Sequence, residues 1–188
     1  MKLLAFDFET AGGETQIHGG RGKPKTRLDA RKATPKLLTY ATESASGILQ
    51  PDEYRRLLPV LANPEVVKIG HNLAYDLGLI RAAVGHRFPV VNCFDTMIGY
   101  QLLIAGLYEN SLKHSGLKAV VKDVLGVELD KSLQTSDWSG ILEKEQLQYA
   151  LKDSEILIKL YPVLKDLLEA KGLSRVAQIE FDCIPIKV

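Results

Sequence analysis

Three observations predict an α/β domain with a mixed central β-sheet flanked by helices. The chain opens on an apolar run that ends in carboxylates, residues 2–9 (KLLAFDFE), the pattern of a buried strand. Further short strand-like runs follow early, at 37–43 (LLTYATE), 46–49 (SGIL) and 66–70 (VVKIG). Helical patterns interleave with these and dominate later, which is the order that builds a sheet with helices packed on it. A length of 188 residues fits one domain of ordinary size, large enough to bury a core without staples.

The elements follow in order. The Gly-rich, basic segment 11–36 reads as a long loop or insertion. Pro51 and Asp52 open a short helix through Ala62, and Asn63-Pro64 marks a turn. A helix runs from about Asn72 to Val84 and stops at Gly85. An extended piece near 89–93 leads into a helix over about 95–105. Another covers about 115–125, with Gly126 as its stop. Residues 127–138 form a polar loop ending at Trp138. The longest helical pattern spans 143–171, with Pro162 expected to kink or restart it and Gly172 to end it. The last ten residues, Ile179 to Val188, carry a Pro and no clear pattern of their own.

Composition excludes several classes. Hydrophobic residues make up 46% and charged residues 25%, which excludes disorder as the overall state. No run approaches the length of a membrane span. The N-terminus reaches Asp7 too soon for a signal peptide, so a cytoplasmic setting is expected. Cys93 and Cys183 lie far apart and form neither a zinc motif nor a disulfide framework. The 24 Lys and Arg nearly balance the 23 Asp and Glu, but unevenly. Residues 21–36 (RGKPKTRLDARKATPK) hold seven basic residues and one acid, Asp29. Such asymmetry fits a polyanionic partner, and it equally fits a solvated surface loop.

Chemistry collects in three places. Asp7 and Glu9 flank Phe8 on the first strand and share one face, where two like charges repel and call for a positive partner. His71-Asn72-Leu73-Ala74-Tyr75-Asp76 spans a strand-to-helix junction, with Asp76 about one turn in; alone, it reads equally as a helix-start acid. Tyr149 and Asp153 are four apart on the late helix and share a face.

Together the three carry a resemblance that none carries alone. FDFET, HNLAYD and YALKD, in this order, resemble the motifs of the DEDDy 3′–5′ exonucleases, whose fold is ribonuclease H-like. Phe94-Asp95-Thr96-Met97 and the stretch from Asp130 to Trp138 resemble the proofreading exonuclease domain of family A (DNA polymerase I type) DNA polymerases. The second stretch also resembles ribonuclease D. The ending from Ile179 to Pro185 resembles the chain where such polymerases enter their polymerase domain. Residues 12–36 depart from the pattern in length and basicity, and so does the region from Glu109 to Ser115.

The resemblance implies an exonuclease domain over residues 1–178, with 21–36 as a basic loop insertion. Residues 179–188 would be a tail, the truncated start of a polymerase domain in a longer parent chain. It implies hydrolysis of DNA from a single-stranded or frayed 3′ end to nucleoside 5′-monophosphates, as in proofreading, with a cytoplasmic or nucleoid location. Asp7, Glu9, Asp76 and Asp153 would hold two Mg²⁺ or Mn²⁺ ions, a fit for oxygen donors without thiolates. Tyr149 would orient the attacking water, since a phenol is a poor base at neutral pH. Asn72 and Tyr75 would contact the terminal nucleotides, and Arg21, Lys23, Lys25 and Arg27 would follow the phosphate backbone. Two other readings stand beside this one: a ribonuclease D-like RNA exonuclease, and a catalytically silent nucleic-acid-binding module.

Overall fold

A computed structural model describes residues 2–17, 25–85, 88–107, 114–129 and 143–188. Five strands form one mixed sheet in the order β3-β2-β1-β4-β5. Strand β1 (Lys2–Ile17) pairs antiparallel with β2 (Lys25–Ala41), which pairs antiparallel with β3 (Ser46–Leu49). On its other edge β1 pairs parallel with β4 (Val66–Gly70), and β4 with β5 (Cys93–Asp95). The helices are α1 (Leu58–Leu61, after a 3₁₀ turn), α2 (Leu73–Val84), α3 (Thr96–Leu103), α4 (Leu117–Leu125), α5 (Lys144–Ala170) and α6 (Ser174–Lys187). The mixed sheet with helices packed on it is the architecture the order of patterns predicts.

Helix α5 lies across the sheet and touches β1 through β4. Its buried residues recur every three or four positions: Gln146, Ala150, Ser154, Leu157, Tyr161, Leu164 and Leu168. The helix continues through Pro162 as one element, where a kink or a restart was expected. Pro162 is exposed, so its ring lies on the solvent side of the helix. Gly172 ends the helix with φ +69°, and the Gly172 and Leu173 amides bond back to Glu169 and Leu168. The core joins Phe6, Phe8 and Ile69 of the sheet with Leu77, Ile80, Leu157, Leu160 and Leu164 of the helices. Full burial stabilises such a side chain by about 1.5–3 kcal/mol.

Two parts differ from expectation. Residues 25–36 are strand, not loop, and pair with β1 out to Ile17↔Lys25. Residues 11–17 of the same expected loop are strand as well. The glycines at 12, 13, 19, 20 and 22 and the run of charges read locally as loop, but pairing with a neighbouring strand overrides local signals. Residues 179–187, patternless in sequence, lie in α6, which buries Ala177, Phe181 and Ile184. Phe181 packs 4.6 Å from Phe94, centroid to centroid, which binds the helix to β5. Neither cysteine is disulfide-bonded. Among the described residues no helix is long and apolar enough to cross a membrane.

One core residue runs against its chemistry. Lys68, in the middle of β4, is fully buried, with its ammonium donating to the carbonyls of Asn63 (2.7 Å) and Val66 (2.8 Å). Burial lowers its pKa from 10.5 to about 8. The folded state therefore binds fewer protons than the unfolded chain between those values, and stability rises with pH through that window. Cys93, its register partner, is raised by burial from 9.0 to about 11 and acts in the opposite sense above pH 9. Lys68→Met removes the lysine contribution together with the charge that lowers Cys93. Its unfolding free energy, relative to the parent, should move in the parent's favour by about 2–3 kcal/mol between pH 7 and pH 10.5 in urea titrations; a constant difference would show that Lys68 does not lose its proton on folding.

Candidate active site

The site begins on β1. Asp7 and Glu9 are half-buried and lie opposite Thr39 and Leu37 of β2, so all four share one face of the sheet. Helix α5 covers that face. The Thr39 hydroxyl lies 2.6 Å from that of Ser154 on α5, and Leu37 packs with Leu147, Tyr149 and Ala150. Tyr149 and Asp153 thus come from α5 onto the side of the sheet that carries Asp7 and Glu9. Phe6 and Phe8 alternate to the other side and are buried.

Asp76 arrives from α2. The β1–β4 ladder ends at Ala5↔Ile69, so the Phe8 amide lies beyond it. Asp76 Oδ1 accepts that amide at 3.0 Å, taking the place of a strand carbonyl. Asp76 is only 2% exposed, which sets aside a solvated helix-start acid. Its pKa lies well above the usual carboxylate range. Burial is the largest cause; the Phe8 and Asp76 amides oppose it, and the charges of Asp95 and Glu9 add to it.

Asp95 holds α2 in place. Its Oδ1 accepts the amides of Asn72 (3.2 Å), Met97 (2.8 Å) and Ile98 (3.2 Å), and its Oδ2 that of Leu73 (2.8 Å). One buried carboxylate thereby caps both α2 and α3. The turn before α2 is tight. A Cβ at Gly70 would lie 2.6 Å from Leu73 Cδ1, and Asn72 takes a left-handed backbone with φ 65°. The Asn72 side chain is exposed and caps nothing. Tyr75 is half-buried, with its hydroxyl 3.0 Å from that of Thr10. His71 Nδ1 lies 3.0 Å from the Thr96 hydroxyl.

Electrostatics tie the three elements together. The Tyr149 phenol is raised above its ordinary range by burial, then by the charges of Asp153 and Glu9, by a hydrogen bond to Asp153 and by Asp7. Asp7, Glu9, Asp76, Tyr149 and Asp153 therefore belong to one neighbourhood. No group of three acidic, His or Cys side chains among the described residues already stands in metal-holding geometry. The donor set nonetheless fits a hard divalent cation. It is all oxygen, and the penalty on Asp76 beside Glu9 and Asp95 is one that a cation would relieve. Arg21 and Lys23 lie outside the described residues, as do Asp130 to Trp138. Lys25 and Arg27 lie on β2, their side chains outside the described ones.

Asp95 is the residue whose role sequence reasoning missed. An Asp directly before Thr-Met-Ile is a helix N-cap signal, and it announces the bond to α3. The bond to α2, more than twenty residues away, has no local signature. Thr10, which anchors Tyr75, likewise had none.

Comparison with known proteins agrees with this geometry. A family described as 3′-5′ exonuclease matches residues 1–169, and the chain belongs to that family. DNA polymerase I of Aquifex aeolicus (strain VF5) is 42% identical over 180 residues, covering 90% of this chain and 29% of that protein. Ribonuclease D of Zymomonas mobilis is 33% identical over 112 residues, covering 58% of this chain and 26% of its own length. The chain thus spans less than a third of these relatives. Among solved structures, Brucella melitensis NrnC with bound Mg²⁺ superposes with a TM-score of 0.76 at 23% identity, over 98% of this chain and 82% of that one. Escherichia coli RNase D does so with a TM-score of 0.76 at 21% identity, over 98% of this chain and 44% of that one. The shared fold is ribonuclease H-like.

Asp95→Ala should lower unfolding free energy by about 2–4 kcal/mol, the sum of two lost caps, with Asp95→Asn intermediate. Urea denaturation checks this; a loss under about 0.5 kcal/mol would show that the caps are replaceable by water.

Proposed function

We propose that this chain is a divalent-metal-dependent 3′–5′ exonuclease acting on DNA, releasing nucleoside 5′-monophosphates from a single-stranded or frayed 3′ end in the manner of proofreading. The observation that carries it is the convergence of β1, α2 and α5 on one acidic neighbourhood, with Asp76 bonded to the β1 backbone between Asp7 and Glu9. All five motif residues stand there, which weighs against a silent binding module. The relative with the larger identity and coverage is a DNA polymerase, which supports DNA and a polymerase domain in a longer parent chain. The ribonuclease D relatives favour a second reading, an RNA exonuclease on the same site.

In this reading Asp7, Glu9, Asp76 and Asp153 would hold the divalent cations. Bound divalent cations supply the acidity that makes water nucleophilic at neutral pH and stabilise charge on the leaving 3′ oxygen. The protein's own groups do the positioning. Tyr149 keeps its proton at neutral pH, because burial and Asp153 disfavour the phenolate. It acts as a hydrogen-bonding guide for the attacking water and not as a base. Tyr75 is steadied by Thr10 and offers a ring on which a base can stack. Asn72, exposed at the head of α2, offers an amide to the terminal nucleotide. Arg21, Lys23, Lys25 and Arg27 supply charge for the phosphate backbone.

Asp7→Ala should lose at least about 10³-fold in turnover with its fold intact, and Tyr149→Phe about 10–100-fold. Gel assays on 5′-labelled DNA and RNA of one sequence, with Mg²⁺, Mn²⁺ or EDTA, test both. Parent-like Asp7→Ala would remove the metal assignment, and preference for RNA would move the protein to the second reading.

A pH effect follows from the raised pKa values of Asp76 and Asp95, both caused first by burial. Folded, they hold protons that the unfolded chain has released. The contribution of these two groups to the stability of the metal-free protein should therefore fall as pH rises from about 4 toward neutrality. Mn²⁺ should raise the melting temperature more at pH 8 than at pH 5. A Mn²⁺ effect independent of pH would place the ion elsewhere.

A further inference from the structure

The β1–β2 hairpin does not end with the sheet. Beyond Leu37 its two strands continue as a ribbon, and two register shifts bend it. At the first, Glu9↔Leu37 passes to Thr10↔Pro35, leaving Lys36 as the extra residue beside the acidic pair. At the second, Gly12↔Ala33 passes to Glu14↔Leu28, so residues 29–32 bulge opposite Gly13 alone. Bulges of this kind bend and twist a ribbon and re-aim its side chains.

The bulge is seated on helix α2. A Cβ built on Gly78 would stand 3.0 Å from the Cβ of Ala30, so the two backbones approach where only small residues fit. Ala30 and Ala33 pack against the main core. The bulge also reaches the rim of the site, since the charge of Asp29 acts on the Tyr75 phenol together with those of Asp76 and Asp7. On its outer side stand Arg31 and Lys32, both exposed. Arg31 is held by Asp29 through Nε (3.1 Å) and Nη2 (3.2 Å). The Arg31 side chain is 80% exposed, and an ion pair in water is worth little. A phosphate, which matches the guanidinium fork, can take Asp29's place.

We propose that this docked bulge is a clamp for the phosphate backbone of a single nucleic-acid strand, lying upstream of the nucleotides at Tyr75, and that it makes affinity depend on strand length. The proposal rests on the reading of Tyr75 as the substrate rim. It adds Arg31 and Lys32 as phosphate contacts and the Ala30–Gly78 seat as the device that holds them there. Polyanion chemistry follows from the charge of the segment, seven basic residues against one acid over 21–36. Because the bulge lies at the rim beside Tyr75, only a strand as short as two nucleotides occupies the site without reaching it, whereas a strand of sixteen reaches both.

The test is equilibrium binding of fluorescein-labelled oligothymidylates of 2 and 16 nucleotides, read by anisotropy in EDTA over a salt series. The EDTA separates this outcome from the nuclease reading, which stands or falls on cleavage. In the parent, the 16-mer should bind at least about 10-fold more tightly than the dinucleotide. The double variant Arg31→Gln with Lys32→Gln should lose most of that ratio and flatten the 16-mer's log–log salt slope by about 1.4, two contacts at roughly 0.7 each. Ala30→Leu, which keeps both cations but cannot sit on Gly78, should lose the ratio as well. An unchanged ratio in the double variant would overturn the clamp. An unchanged ratio in Ala30→Leu, with the fold intact by circular dichroism, would overturn the seat.

Discussion

The hydrogen bond from the Phe8 amide to Asp76 Oδ1 is the contact on which the rest of the site depends. It occurs where β1 outruns its parallel neighbour β4, so an amide that a strand would have taken is left to a side chain. Because Phe8 lies between Asp7 and Glu9, the bond fixes the α2 carboxylate against the acidic pair of β1. It also gives α2 a fixed position. The start of that helix is also held by Asp95, which caps α2 and α3 together from the end of β5. A sheet edge, two helix starts and two buried carboxylates thus form one unit.

This unit is costly in the absence of a counter-charge. Burial pushes Asp76 and Asp95 toward their protonated forms, and the charges of Asp95 and Glu9 add to the effect on Asp76. Asp95 recovers part of the cost through four backbone amides, which is the mark of a structural carboxylate. Asp76 has fewer such bonds and a second acid, Glu9, close by. That difference separates the carboxylate that builds the site from the one suited to a cation. Burial, and then the charges of Asp153 and Glu9, raise the Tyr149 phenol above its ordinary range.

Much of this was legible in the sequence. The alternation Asp7-Phe8-Glu9 places two acids on one face by strand geometry alone, and the four-residue spacing of Tyr149 and Asp153 does the same on a helix. The strands at 2–9, 46–49 and 66–70 and the helices after Asn72 and Gly116 follow from apolar period and glycine stops. What was not legible depends on partners distant in the chain. Residues 25–36 look like a loop because their charges and Pro35 dominate locally after a Gly-rich stretch, while their pairing with β1 is a tertiary fact. Phe181 and Ile184 have value only once β5 and α5 stand beside them. Asp95 shows one of its two caps in sequence and hides the other.

Direct metal binding tests the central claim without any substrate. Mn²⁺ titrated into the parent and into Asp7→Asn, read by electron paramagnetic resonance of the free ion, counts the sites and locates them. The account predicts saturable binding of two ions per chain in the parent, with at least one lost in Asp7→Asn. Binding that does not saturate, or that Asp7→Asn leaves unchanged, would contradict it.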